Sequence, residues 1–99
     1  MANVIVQGVF VVEPGERDQF IEASIEGMRA SRAEAGCLEY VFAADPLDPA
    51  RIALSERWES MDLLQQHLKN QASRPAGDRP KSRSVEIVMY EVASATKLL

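Results

Sequence analysis

Val4-Ile5-Val6-Gln7-Gly8-Val9-Phe10-Val11-Val12 is the stretch on which the fold turns. Residues 3–12 are almost continuously apolar and β-branched, which favours a strand. Side chains alternate along a strand, so Val4, Val6, Phe10 and Val12 share one face, and Ile5, Val9 and Val11 the other. A strand with one wet face would be polar on that side. This one is expected to be buried on both.

Working outward, Glu13-Pro14-Gly15-Glu16 breaks the strand and opens a helix over residues 16–33. Phe20, Ile21, Ser24, Ile25 and Met28 repeat at helical spacing, and Arg17, Asp18, Glu22, Glu26 and Arg29 form the outer face. Ala35-Gly36 stops the helix. Residues 37–43 read as a strand with Leu38, Tyr40 and Phe42 facing one way and Cys37, Glu39 and Val41 the other. Asp45-Pro46-Leu47-Asp48-Pro49 is dense in turn formers and joins this strand to the next, residues 51–59. There Ile52, Leu54, Glu56 and Trp58 share a face, opposite Ala53, Ser55 and Arg57. Ser60 suits the N-cap of a short helix over residues 61–71, with Leu64, His67, Leu68 and Gln71 in one stripe. Residues 72–83 lose all periodicity and carry four basic residues, Arg74, Arg79, Lys81 and Arg83, against Asp78. They read as a surface loop. The last strand spans residues 84–92, with Val85, Ile87 and Met89 on one face and Val88, Tyr90 and Val92 on the other; residues 93–99 form a tail.

The order β-α-β-β-α-β predicts an α+β, ferredoxin-like fold: a four-stranded antiparallel sheet with two helices on one face. Two helices cover only that face, yet the first and last strands are apolar on both. A second copy of the chain is the expected cover, which makes a homodimer through the open sheet face.

Composition narrows the function. Ninety-nine residues read as one domain over 1–99, with 46% hydrophobic and 26% charged residues, the balance of a globular chain. Eleven basic residues against fifteen acidic ones give a net charge of −4, which argues against a nucleic-acid partner. No apolar run approaches the roughly 20 residues of a membrane span. Met1-Ala2-Asn3-Val4 carries no basic n-region, so no secretory signal is expected. The lone Cys37 allows neither an internal disulfide nor a multi-cysteine zinc site, and a cytoplasmic location is expected.

No glycine-rich phosphate loop is present and the one histidine and one cysteine stand far apart, so neither a nucleotide cofactor nor a metal site is expected. His67 has two readings: an acid or base in a pocket, or a partly buried histidine with a structural hydrogen bond. Trp58 reads as core or as a ligand platform. Glu56, on the Trp58 face, must pair with a cation or line a wet pocket. Arg57 and Glu39 suit an ion pair on the opposite face. Asn3 reads as a strand-end residue and Cys37 as a packing residue. The basic loop is either solvated or closes over an anionic or phenolate ligand.

Gly36-Cys37-Leu38-Glu39-Tyr40, Leu54-Ser55-Glu56-Arg57-Trp58-Glu59 and Leu64-Gln65-Gln66-His67-Leu68, in that order and spacing, resemble the antibiotic biosynthesis monooxygenase family. Pro14-Gly15 and Val88-Met89-Tyr90-Glu91-Val92 also fit. The resemblance implies a dimeric α+β barrel and the oxygenation of phenols or quinols without metal or flavin, with a small-molecule substrate and O2 as partners. It further implies that Trp58 walls the pocket with Glu56, Tyr40 and Phe42, and that His67 and Asn3 are its catalytic polar groups. A histidine at the place of His67 also resembles that of isomerases in the same superfamily, so isomerisation competes, as does a non-catalytic binding module. In one respect the chain departs from the pattern. Residues 70–83 lack the aromatic helix that roofs the family's pocket, and they lack the histidine that haem-degrading relatives use, so no haem is expected.

Overall fold

The chain folds as β1 (Val4–Val11), α1 (Arg17–Arg32), β2 (Cys37–Ala44), β3 (Arg51–Trp58), α2 (Met61–Ser73) and β4 (Ser84–Glu91), with a 3₁₀ turn over Pro14–Glu16 ahead of α1. This computed structural model describes residues 3–75 and 77–99; Met1, Ala2 and, within the expected loop, Ala76 lie outside the described residues. The strands form one sheet in the order β2-β3-β1-β4, every neighbouring pair antiparallel. That is the ferredoxin-like arrangement. The two-faced strand β1 sits inside the sheet, where its composition requires it to be.

Register aligns side chains into rows across the helix-covered face. Tyr40, Glu56, Val6 and Met89 form one row, and Phe42, Leu54, Gly8 and Ile87 the next. The helices pack chiefly over β2 and β3. Phe10, Phe20 and Phe42 meet between α1 and the sheet, with ring centroids 5.3–6.0 Å apart, edge-tilted as aromatic quadrupoles prefer. Beyond them the inner side of β4 is bare: Val85 and Ile87 are each 51% exposed. The other sheet face presents Ile5, Val9, Val41, Val88 and Tyr90, broken by a polar group in which Arg57 lies 3.5 Å from Glu39 as expected.

Two local expectations are corrected. Cys37 stands opposite Trp58 and Glu39 opposite Arg57, so Leu38 is the extra residue of a β-bulge. The bulge turns Cys37 onto the core side and leaves Leu38 exposed, while Tyr40 and Phe42 keep their expected inward face. Arg17, expected on the solvent face of α1, instead donates to the carbonyls of Asp45 and Asp48 at 2.9 and 2.7 Å. It thereby ties the helix to the β2–β3 loop, whose Asp45 and Asp48 side chains accept the Leu47 and Ala50 amides. Ser60 caps α2 as expected, accepting the Leu63 amide at 3.2 Å.

The bulge depends on Gly36. Its φ of +82° is left-handed, its carbonyl accepts the Glu59 amide at 2.9 Å, and a Cβ there would run into the Leu63 side chain. Gly36→Ala is therefore expected to destabilise the fold by about 1–3 kcal/mol. Urea unfolding measures this, and an unchanged midpoint would contradict it.

Candidate functional site

The alternation of β3 that buries Ile52, Leu54 and Trp58 also carries Glu56 inward, where it is 5% exposed. Trp58 follows two residues later on the same face, and its indole Nε1–H donates to Glu56 Oε1 at 2.9 Å. From α2, His67 lies three residues beyond the buried Leu64 and is itself 1% exposed. Its ring packs on Trp58 at 4.6 Å and on Tyr40 at 5.4 Å between centroids. His67 Nδ1 is 2.7 Å from Glu34 Oε1, beyond the end of α1, and Nε2 is 3.9 Å from Glu56 Oε1. Asn70 donates to the other oxygen of Glu34. The result is a row of carboxyl, imidazole and carboxyl running from the protein edge to the inner wall. The imidazole bonds Glu34 directly. At 3.9 Å from Glu56 Oε1, its Nε2 lies beyond hydrogen-bond reach of that carboxyl.

The environment drives the two carboxyls in opposite directions. Burial pushes the Glu56 carboxyl above the ordinary range, and the Trp58 hydrogen bond and nearby imidazole only partly offset it. Partial burial also acts to raise Glu34, but the hydrogen bonds from His67 and Asn70 outweigh it and hold that carboxyl low. Burial, then the Glu56 charge, raises the Tyr40 phenol, keeping its O–H available as a donor. Burial and the same carboxylates raise the Cys37 thiol, which suits a packing residue better than a nucleophile.

A cavity of about 490 Å³ opens beside Glu56. Its apolar walls include Phe10, Phe42, Leu54, Ile87 and Met89, and its polar groups are Glu56, Tyr40, Gln71 and Arg79. Gly8 contributes no side chain between Leu54 and Ile87, which helps leave the hollow. Glu56 Oε2 accepts no hydrogen bond from the described residues, so it is the oxygen free to meet a ligand. In place of the aromatic roof, Arg79 lies with its guanidinium carbon 4.5 Å from the Phe20 ring centroid and 5.6 Å from those of Phe10 and Phe42. Among the described residues no three His, Cys, Asp or Glu side chains gather as a metal ion would need.

The structure thus brings together Glu56, Trp58, His67, Tyr40 and Phe42, spread over β2, β3 and α2. Of these, Glu56, Tyr40 and Phe42 line the cavity; Trp58 and His67 stand behind Glu56 and hold it. Asn3 is exposed ahead of β1, its backbone pairing with Trp58 and Val92, and it does not line the cavity. Glu34 and Arg79 were not singled out as site residues from the sequence. Glu34 is 33 residues from His67, and no local pattern marks the pair.

Fold and site together define a ferredoxin-like protein with a buried acid–imidazole row behind an apolar cavity. The sequence pattern of the antibiotic biosynthesis monooxygenase family matches residues 3–78, and the chain belongs to that family. An uncharacterised protein of Synechocystis is 24% identical over 98 residues, covering 96% of this chain and 67% of that protein. Among solved structures, a candidate antibiotic biosynthesis monooxygenase from Deinococcus radiodurans superposes with a TM-score of 0.75 at 18% identity, covering 97% of this chain and 98% of its own. One from Chloroflexus aurantiacus gives 0.63 at 25% identity, covering 96% and 97%. No helix among the described residues is long and apolar enough to cross a membrane.

Glu34→Ala leaves His67 Nδ1 buried without its partner and is expected to lower stability by about 1–3 kcal/mol at neutral pH. Because folding lowers the Glu34 pKa, its contribution is present above the ordinary value of 4.5 and is lost as pH falls below it. Urea melts of both proteins across that range should converge at acid pH, and equal stability at pH 7 would contradict the pairing.

Proposed function

We propose that the chain is a cofactor-independent monooxygenase acting on a small aromatic, quinol or polyketide-like molecule, with Glu56 as the base that takes the substrate's proton. The observation that carries this reading is a buried carboxyl, with one oxygen bonded by Trp58, set in the wall of an apolar cavity large enough for about one or two fused rings. A general base works best when its pKa approaches the working pH, and burial moves Glu56 that way.

The substrate hydroxyl gives its proton to Glu56 Oε2, and the phenolate left behind is electron-rich. That anion reduces O2 and forms a C–O bond to it. One oxygen atom ends as a new ring carbonyl and the other leaves as water, with both electron pairs drawn from the substrate. Apolar walls hold the ring and exclude water, and Tyr40 can donate its O–H to the developing anion. Glu56 is recharged through the row behind it. The protonated carboxyl turns its O–H toward His67, a shift of about 1 Å brings Nε2 within hydrogen-bond distance, and as Nε2 takes this proton Nδ1 releases its own to Glu34, which hands it to solvent at the protein edge. Trp58 positions the base. His67 carries its proton rather than touching the substrate.

We also propose that two copies pair through the open sheet face around Ile5, Val9, Val88 and Tyr90, as the two-faced strands and the family resemblance suggest. Light scattering should then give twice the 11.0 kDa chain mass, and Val88→Lys should give the monomer. A monomeric wild type at high concentration would contradict this.

Oxygen uptake with a panel of quinols tests the activity. Glu56→Gln is expected to lower kcat by about 10²–10⁴-fold. Wild-type kcat should fall as pH drops through the raised Glu56 pKa, since only the carboxylate accepts a proton. The stability sign is opposite. Folding favours protonated Glu56, so stability is lost as pH rises through the same window, and Glu56→Gln should be no less stable than wild type at pH 8. Turnover that needs no oxygen and is abolished by His67→Gln would instead favour an isomerase, and no turnover of any panel member would favour a binding module.

A further inference from the structure

We propose that the cleft between α1 and residues 74–75 and 77–82 binds the anionic end of the substrate, a carboxylate or phosphate group on a molecule whose aromatic end occupies the apolar cavity. This rests on reading that cavity as the substrate site. The cleft, of about 930 Å³, is the larger of the two hollows, and Tyr40, Phe42, Gln71 and Arg79 line both. The two spaces therefore meet at Arg79, and one ligand can span them.

The charge of the cleft is the second argument. The chain as a whole carries −4, yet Arg74, Arg79 and Lys81 all line this one hollow. Its single lining carboxylate, Glu26, is engaged by Arg29 at 2.8 Å. Among the described residues no carboxylate lies within ion-pair distance of Arg74, Arg79 or Lys81. Three cations lining one hollow against a single, already engaged carboxylate give it a positive balance that favours an anion.

How Arg79 is held supplies the third argument. It rests on the Phe20 ring and makes no hydrogen bond among the described residues, so its face is anchored while its N–H donors are unspent. A guanidinium in that state is suited to a two-pronged contact with an oxyanion. Among the described residues the Arg74 guanidinium makes two long contacts, 3.5 Å to the Gly27 carbonyl and 3.5 Å to Ser31 Oγ. Both arginines retain donors for a ligand.

Calorimetric titration of the full chain under argon and at low salt tests this with three probes: 3-phenylpropionate, phenethyl phosphate and the neutral 3-phenylpropanamide. At least one anion should bind about tenfold or more tightly than the amide, a difference of roughly 1.4 kcal/mol. Which anion binds tighter identifies the end group. Added salt should weaken the anion and spare the amide. Arg79→Gln with Lys81→Gln should bring the anion-to-amide ratio close to one. Lys81→Gln alone, at an exposed position, should lower it several-fold and keeps the test open should Arg79→Gln fail to fold. Anions no tighter than the amide, binding of none of the three, or a ratio unchanged in folded variants would overturn the proposal. Because no probe is turned over and oxygen is absent, failure of the oxygenase reading leaves this result intact. An amide that binds as well as the acid sinks the cleft alone.

Discussion

A carboxyl on the inward face of a strand is unstable company for an apolar core, because burying it ionised and unpaired costs several kcal/mol even after relaxation. Glu56 is in that position, and much of the molecule can be understood as the answer to it. Trp58, two residues on, supplies an N–H from the same strand face. His67 must then arrive from α2 at the right turn of the helix, which ties the register of α2 to that of β3. Glu34 holds the far side of the imidazole and so fixes where the chain leaves α1. Three elements are locked to one carboxyl. The lock is incomplete by design of the contacts: one Glu56 oxygen is paired and the other is left to the cavity.

The cavity exists because the helices sit to one side of the sheet. They cover β2 and β3 and leave the inner faces of β1 and β4 to wall a hollow, with Gly8 adding none of its own bulk there. Charge is segregated around that hollow. Glu56 stands in the sheet-side wall with Glu34 behind it, and the cations lie on the loop side, with Arg79 laid across phenyl rings. A guanidinium is flat enough to stack like a ring, yet it remains a cation.

The strand faces were legible because a period of two leaves little room for error: Tyr40, Phe42, Glu56 and Trp58 fall inward as their alternation predicts. Leu38 was misplaced because a bulge adds one residue to that period, and the cause is the left-handed Gly36 together with its neighbours, not any pattern within the strand. Glu56 could be recognised as a problem residue from the sequence alone, but its solution could not. The Glu34–His67 contact joins positions 33 apart, and only the packing of α1 and α2 on the sheet brings them together. Arg79 was legible as part of a basic loop that is either solvated or closes over a ligand, but its seat was not, since that depends on three phenylalanines from different elements. Asn3, carried into the site by resemblance, stands outside the cavity.

The proposed role of Glu56 requires a buried carboxyl whose pKa is lifted by its apolar surroundings. Its side-chain carboxyl carbon, labelled with ¹³C and followed by NMR across the pH range, reports this directly, with Glu56→Gln identifying the resonance. The account predicts a titration midpoint clearly above the ordinary 4.5. A midpoint at or below that value would mean the carboxyl is well solvated or firmly paired as an anion, and would contradict the account.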